Sequence, residues 1–180
     1  MSDQPILGYD PSLTGTALCF LDPDCKTIQH VETLVTGSLR GLPRLLEIEN
    51  RSNTLIQKYN PQGAFIEGYG FGARGRAVFS LGELGGILRR LMFVTDVPYW
   101  DVPPTTLKKF ITGKGNANKN ILLEQTFRRY GIGSEVLTDD NQVDAFGLAK
   151  LGCAYLNLEK KLAKYQEEAL KGVGKCITLQ

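Results

Sequence analysis

Two short apolar runs in this chain each end on a carboxylate. Residues 5–9 run into Asp10, and Ala64-Phe65-Ile66 runs into Glu67. Both runs are too short for helices, and turn-forming residues follow them, Pro11 in one case and Gly68 in the other. An acid following a buried apolar run is costly unless something pairs with it. A chain with this pattern is constrained to build a sheet whose strand ends carry acid, and strand ends are where α/β folds assemble their sites.

The intervening segments fit such a sheet. Thr16–Leu21 and residues 27–35 alternate in a strand-like way around the turn Asp22-Pro23-Asp24. With the first run they predict an antiparallel meander, broken by the glycines at 37 and 41. Residues 42–59 carry Leu42, Leu45, Leu46, Ile48, Leu55 and Ile56 at helical spacing, and Asn60-Pro61 ends them. After Glu67 comes the glycine-rich stretch GYGFGARGR. A helix follows over 78–94, with Leu81, Leu84, Leu88 and Leu91 as its apolar stripe. A strand over 97–102 is closed by Pro103-Pro104. A short helix over 106–110, a loop over 112–116 and a helix over Lys119–Tyr130 come next. A last long helix is expected from 138–140 to about residue 162.

That order predicts an α/β domain. Its sheet is mixed and five-stranded, a three-strand antiparallel meander plus two parallel strands, with helices on both faces. With 180 residues, 42% of them hydrophobic, a single core needs no staples. One domain is expected over residues 1–162, followed by a weakly ordered tail over 163–180 that has little to bury.

Composition removes several function classes. No apolar run approaches a membrane span, and the start MSDQPILGYD has no signal-peptide pattern, so a cytoplasmic protein is expected, nucleoid-associated or, if viral, in the host cytoplasm. Cys19, Cys25, Cys153 and Cys176 have no CxxC spacing, which argues against a zinc site or a disulfide framework and for reduced, mostly buried thiols. The single histidine, His30, lies inside a predicted strand, away from any nucleophile it could serve.

The net charge is only +2, but it is unevenly spread. Residues 68–130 hold ten basic and four acidic side chains, whereas residues 1–67 hold five and eight. The middle third is therefore a candidate footprint for a polyanion. A third acidic cluster opens the last helix, with Asp139, Asp140 and Asp144. Asp140 and Asp144 are four apart and share a helix face. If the two acid-ended strands are neighbours, Asp10, Glu67, Asp140 and Asp144 converge. Four unpaired carboxylates repel one another, and hard divalent cations resolve that. Two such ions about 4 Å apart can drive phosphodiester hydrolysis without a histidine.

Four segments in series carry a resemblance. ILGYDPSLTGTAL is similar to the opening strand and turn of the RuvC-like Holliday junction resolvases. AFIEGYGFGARGRAVFSLGELGG resembles that family's second acidic strand end, loop and helix. PPTTLKKFITGKGNANKNIL resembles its lysine-bearing loop, and DDNQVDAFGLAKLG its final acidic helix. The resemblance implies an RNase H-like fold, a homodimer, and nicking of two strands across a four-way DNA junction, dependent on two Mg2+ ions for which Mn2+ substitutes. It places Asp10, Glu67 and Asp144 as metal ligands and Lys119 beside the scissile phosphate. The family's fourth ligand falls where this chain has Asn141. Asp140, one residue earlier, is the preferred candidate as a second anion, with Asn141 and then Asp139 behind it.

Phosphate contacts are expected from Arg74, Arg76, Lys108, Lys109, Lys114 and Lys119. Tyr69 and Phe71 are candidates to stack on, or wedge between, bases at the crossover. The helix over 78–94, weakened by Gly82, Gly85 and Gly86, is the expected dimer interface. The principal alternative keeps the fold and changes the substrate to flaps, forks, R-loops or RNA–DNA hybrids. A catalytically silent branched-DNA-binding protein is the remoter one. An actin-like phosphotransferase needs a second lobe for which the chain is too short.

Overall fold

The computed structural model describes residues 3–69, 76–159 and 161–178, with backbone alone for 76 and 77. Its sheet has the order β3-β2-β1-β4-β5. At the centre, β1 (Ile6–Asp10) pairs antiparallel with β2 (Thr16–Leu21), and β2 pairs antiparallel with β3 (Ile28–Leu34). On its other side β1 runs parallel to β4 (Gly63–Glu67), which runs parallel to β5 (Tyr99–Val102). The expected meander plus two parallel strands is what forms.

Strand periodicity assigns the faces. Leu7, Tyr9, Ala64 and Ile66 point into one core, which α1 (Gly41–Tyr59) and α2 (Arg76–Val94) cover. Ile6 and Phe65 point into the other, under α3 (Pro104–Thr112), α4 (Lys119–Tyr130) and α5 (Asp140–Tyr155). The period of two then puts Gly8, Asp10 and Glu67 on the α5 face as well. Tyr9 stands opposite Ile66, so Asp10 and Glu67 end adjacent strands.

α5 is buried almost all round, from Gln142 to Ala154. It lies so close to the sheet that a Cβ added at Gly8 would overlap the Ala145 carbonyl oxygen and come to 2.5 Å from the Ala149 nitrogen. Further along, a Cβ at Gly152 would collide with the Phe65 ring and come to 2.7 Å from Ile6 Cγ2. Small residues at both points let the helix backbone rest on the strands. The helix stops at Tyr155 rather than near 162. Asn157 takes a left-handed conformation (φ 59°), and the Leu158 N–H closes on the Cys153 carbonyl at 2.9 Å.

The last segment carries one further helix. α6 (Lys164–Leu170) packs on α3 and buries Gln166 and Ala169. Beyond it, Gly174 N–H donates to Asp101 O at 2.9 Å, and Tyr99 and Ile177 exchange backbone hydrogen bonds of 3.0 and 2.9 Å. The tail thus covers the open edge of β5, which the sequence pattern did not reveal because a single bridge needs no periodic run. Among the described residues no helix is long and apolar enough to cross a membrane.

Gly8→Ala tests the close packing. The added methyl meets backbone that cannot move aside, so a loss of about 3 kcal/mol is expected. Urea unfolding measures it; an unchanged midpoint would show that α5 does not rest on β1 as described.

Candidate active site

Asp10, Glu67 and Asp144 line one cleft of about 210 Å³. Asp10 is buried at the end of β1, and Glu67 is half-buried at the end of β4. Asp144 immediately precedes Ala145, whose carbonyl lies against Gly8, so the helix-to-strand contact holds Asp144 over the strand ends. Ser12, Lys108, Lys119 and Asn141 complete the polar lining, and Pro104, Leu107 and Leu122 supply apolar wall.

Burial raises the proton affinity of all three acids. Asp10 is pushed well above the usual carboxylate range by burial, then by the negative charges of Glu67 and Asp144, and it donates a hydrogen bond to Glu67. Glu67 is raised by burial, against the opposing pull of the Asp10 hydrogen bond and of Lys108 and Lys119. Asp144 is pushed up to about 7 by burial and by the charges of Glu67 and Asp140, with Lys119 and Lys108 opposing.

The donor set fits a hard divalent cation. It is all oxygen, carries three acids, and holds protons where cations would compete for them. Among the described residues no group of three His, Cys, Asp or Glu side chains already stands in ligating array.

The three acids that open α5 separate by role. Asp139 is its N-cap, accepting from Gln142 N–H at 2.9 Å and from the Thr33 hydroxyl at 2.6 Å. Asp140 lies at the rim with its side chain 56% exposed, and its Oδ2 is 3.8 Å from Lys119 Nζ. Asn141 lines the cleft and packs beside Gly15 on the turn between β1 and β2. At the first helical position Asp140 stands a full turn above Asp144, out of the cleft lining.

The basic candidates also divide. Lys108 and Lys119 reach the cleft. Lys109, next along α3, turns to α6 and pairs with Glu168 at 3.1 Å. Lys114 is exposed just past the Gly113 cap of α3, outside the cleft lining. Phe71, Arg74 and the Arg76 side chain lie outside the described residues. Tyr69 is 55% exposed, and Arg89 stacks on its ring with the guanidinium carbon 4.7 Å from the centroid. Arg89 is itself held by Asp101 through Nε at 3.0 Å. Sequence reasoning missed Arg89. The available signal was a charge beside Leu88 in a predicted apolar stripe. His30 sits on β3, 3.2 Å from Glu32 and stacked on Tyr59, with no part in the cleft.

A five-stranded mixed sheet carries carboxylates at two neighbouring strand ends and on the covering helix, the arrangement a metal-assisted hydrolase needs. The family described as crossover junction endodeoxyribonuclease RuvC matches over residues 6–149, and the chain belongs to that family. A relative of the same description from Prochlorococcus marinus (strain NATL2A) is 27% identical over 155 residues, covering 82% of this chain and 96% of its own. The structure of Thermus thermophilus RuvC superposes with a TM-score of 0.72 at 20% identity, over 85% of this chain and 95% of that one. The same protein in complex with a Holliday junction substrate gives 0.70 at 21% identity, over 82% and 91%. At those identities the two structures establish the fold.

The raised acids make stability depend on pH. In the folded protein Asp144 holds its proton up to about 7, whereas the unfolded chain loses it near 4. Between those values the folded state binds more protons, so stability falls as pH rises. Melting temperature in chelator should decline from pH 4 to pH 7, and Asp144→Asn should flatten the decline. A wild-type profile that rises across this window would contradict the electrostatics.

Proposed function

We propose that this protein is a structure-selective DNA endonuclease that resolves four-way (Holliday) junctions by paired nicks, in the cytoplasm. The observation that carries the reading is the convergence of Asp10, Glu67 and Asp144 in one cleft, within a chain that matches the resolvase family over residues 6–149.

Asp10, Glu67 and Asp144 would hold divalent cations, two Mg2+ per site with Mn2+ as a substitute. The Oδ1 of Asn141 is better placed than Asp140 to add a fourth oxygen, because Asn141 lines the cleft. When bound, the cations supply Lewis-acid polarisation of the scissile phosphate. Asp10 and Glu67, both raised by burial, would bind the cations in their deprotonated forms. Lys119 and Lys108 hold the phosphate at the mouth of the cleft. Asp140 keeps Lys119 at the rim, though a pair this exposed adds little stability. Leu107, Leu122 and Pro104 exclude water from the inner wall.

Branched DNA is gripped through Lys114, Tyr69, Phe71, Arg74 and Arg76. Arg89 presents the Tyr69 ring for stacking. A second copy of the chain is proposed to pack on the outer face of α2. There Phe79 is 74% exposed, and a Cβ at Gly82 or Gly86 would meet open space. A two-fold dimer then offers two clefts to two strands.

Cleavage mapping in Mg2+ on four-way junctions, forks, flaps and RNA–DNA hybrids tests the substrate. Symmetric nicks on opposed strands of the junction are expected; preferential cutting of flaps or hybrids would replace the reading. Asp10→Asn should reduce cutting to background while junction binding persists, and full activity in that variant would remove the mechanism. Lys119→Ala should slow cutting about 100-fold with a smaller effect on binding. Equal losses would make Lys119 a binding contact only.

A further inference from the structure

Tyr69 follows Glu67 by two residues at the exit of β4, and α2 makes a seat for its ring. Arg89 lies over the ring, its guanidinium carbon 4.7 Å from the centroid, and the Tyr69 hydroxyl donates a long hydrogen bond of 3.4 Å to the Gly82 carbonyl. A Cβ added at Gly85 would overlap that hydroxyl and come to 2.8 Å from both Tyr69 Cε1 and Arg89 Nη1. The ring and the guanidinium thus fill the space that a side chain at position 85 would take. The rest of the ring is open to solvent.

Arg89 is itself fixed. Its Nε donates to Asp101 Oδ1 at 3.0 Å, its Nη2 donates to the same oxygen, and its Nη1 donates to the Gly85 carbonyl at 3.0 Å. All three nitrogens are therefore engaged within the protein. A guanidinium held in this way has little freedom left to lose, so the stack on Tyr69 stands before DNA arrives. Asp101 is held in turn. On one side of β5 it pairs with Ile66 of β4. On the other side its carbonyl accepts from Gly174 N–H at 2.9 Å, and Tyr99, two residues earlier, exchanges two backbone hydrogen bonds with Ile177. Strand alternation then sends the Asp101 side chain to the α2 face, the face on which Tyr99 also lies. The segment after α6, Asp101 and Arg89 form one series of contacts that ends on the Tyr69 ring, beside the carboxylate cleft.

We propose that Asp101 and Arg89 are positioning residues for DNA cleavage. They fix the Tyr69 ring as a platform that sets one base of the junction, and with it the neighbouring phosphate, in register with the cleft. The inference rests on the reading of Tyr69 as a base-stacking residue. A base seated on a ring two residues from Glu67 constrains where its strand lies over the carboxylates. Orientation of this kind raises the rate of cutting more than the affinity. Arg89 spends its donors on Asp101 and Gly85 rather than on a phosphate, so it adds nothing to the salt dependence of binding.

The test measures single-turnover cutting of a four-way junction in Mg2+, and junction affinity, for the full chain and its variants. These are Arg89→Gln, Asp101→Asn, Gly85→Ala and Tyr69→Ala, with the first two also made in the Tyr69→Ala background. Gly85→Ala keeps every charge and favours the helix, so it displaces the ring without unfolding the chain. Arg89→Gln, Asp101→Asn and Gly85→Ala should each slow cutting of bound junction about tenfold and spread the nicks over neighbouring phosphates, while affinity changes less than about threefold. In the Tyr69→Ala background, Arg89→Gln and Asp101→Asn should cost nothing further. Full losses in that background, or tighter junction binding by Asp101→Asn, would show Arg89 meeting DNA on its own and overturn the proposal. An unchanged rate in Gly85→Ala or in Tyr69→Ala overturns it as well. A wild type that cuts no junction removes the reading of the site and this proposal with it, whereas a wild type that cuts, with variants that match it, removes this proposal alone.

Discussion

The contact between Gly8 and Ala145 sets the position of nearly everything functional in this molecule. It lets the backbone of α5 rest on the central strand, with no side chain between them. Asp10 follows Gly8 by two residues on the same face, and Asp144 precedes Ala145 by one. A side chain at position 8 would lift the start of α5 away from the end of β1 and separate the two acids. Gly152 repeats the device further along, against Phe65 and Ile6, so the helix rests on the sheet at two points.

Bringing three acids together costs stability. Each is raised above its ordinary range by burial, with mutual repulsion adding to that for Asp10 and Asp144. A protein that builds such a cluster is under strain relieved either by protons or by cations. Two lysines reach the cleft, yet none of the three acids has a close ion pair among the described residues. In the proposed function the lysines would meet a phosphate and the acids a metal. Asp139 and Asp140 show how closely acids near the site are divided, one capping the helix and the other meeting Lys119 at the rim.

Much of this was legible in the sequence because it rests on periodicity. Strand alternation around Asp10 and Glu67 and the helical stripes gave the mixed sheet, its meander and its covered faces. Four segments in series pointed to the resolvase family. What periodicity does not encode was not legible. Which of Asn141 and Asp140 lines the cleft turns on where they sit at a helix start, a matter of one residue and a cap. Lys109 faces α6 because that helix forms at all, and its formation rests on Ala169 and Gln166 finding a place on α3. Arg89 is placed by Asp101 and Tyr69, partners 12 and 20 residues away in sequence.

The central claim is that α5, resting on β1, assembles Asp10, Glu67 and Asp144 into a divalent-cation site. Anomalous diffraction from crystals grown with Mn2+ measures this directly. Manganese peaks between those three carboxylates are the predicted result. An ordered cleft with no manganese in it, or manganese bound only elsewhere on the surface, would contradict the account.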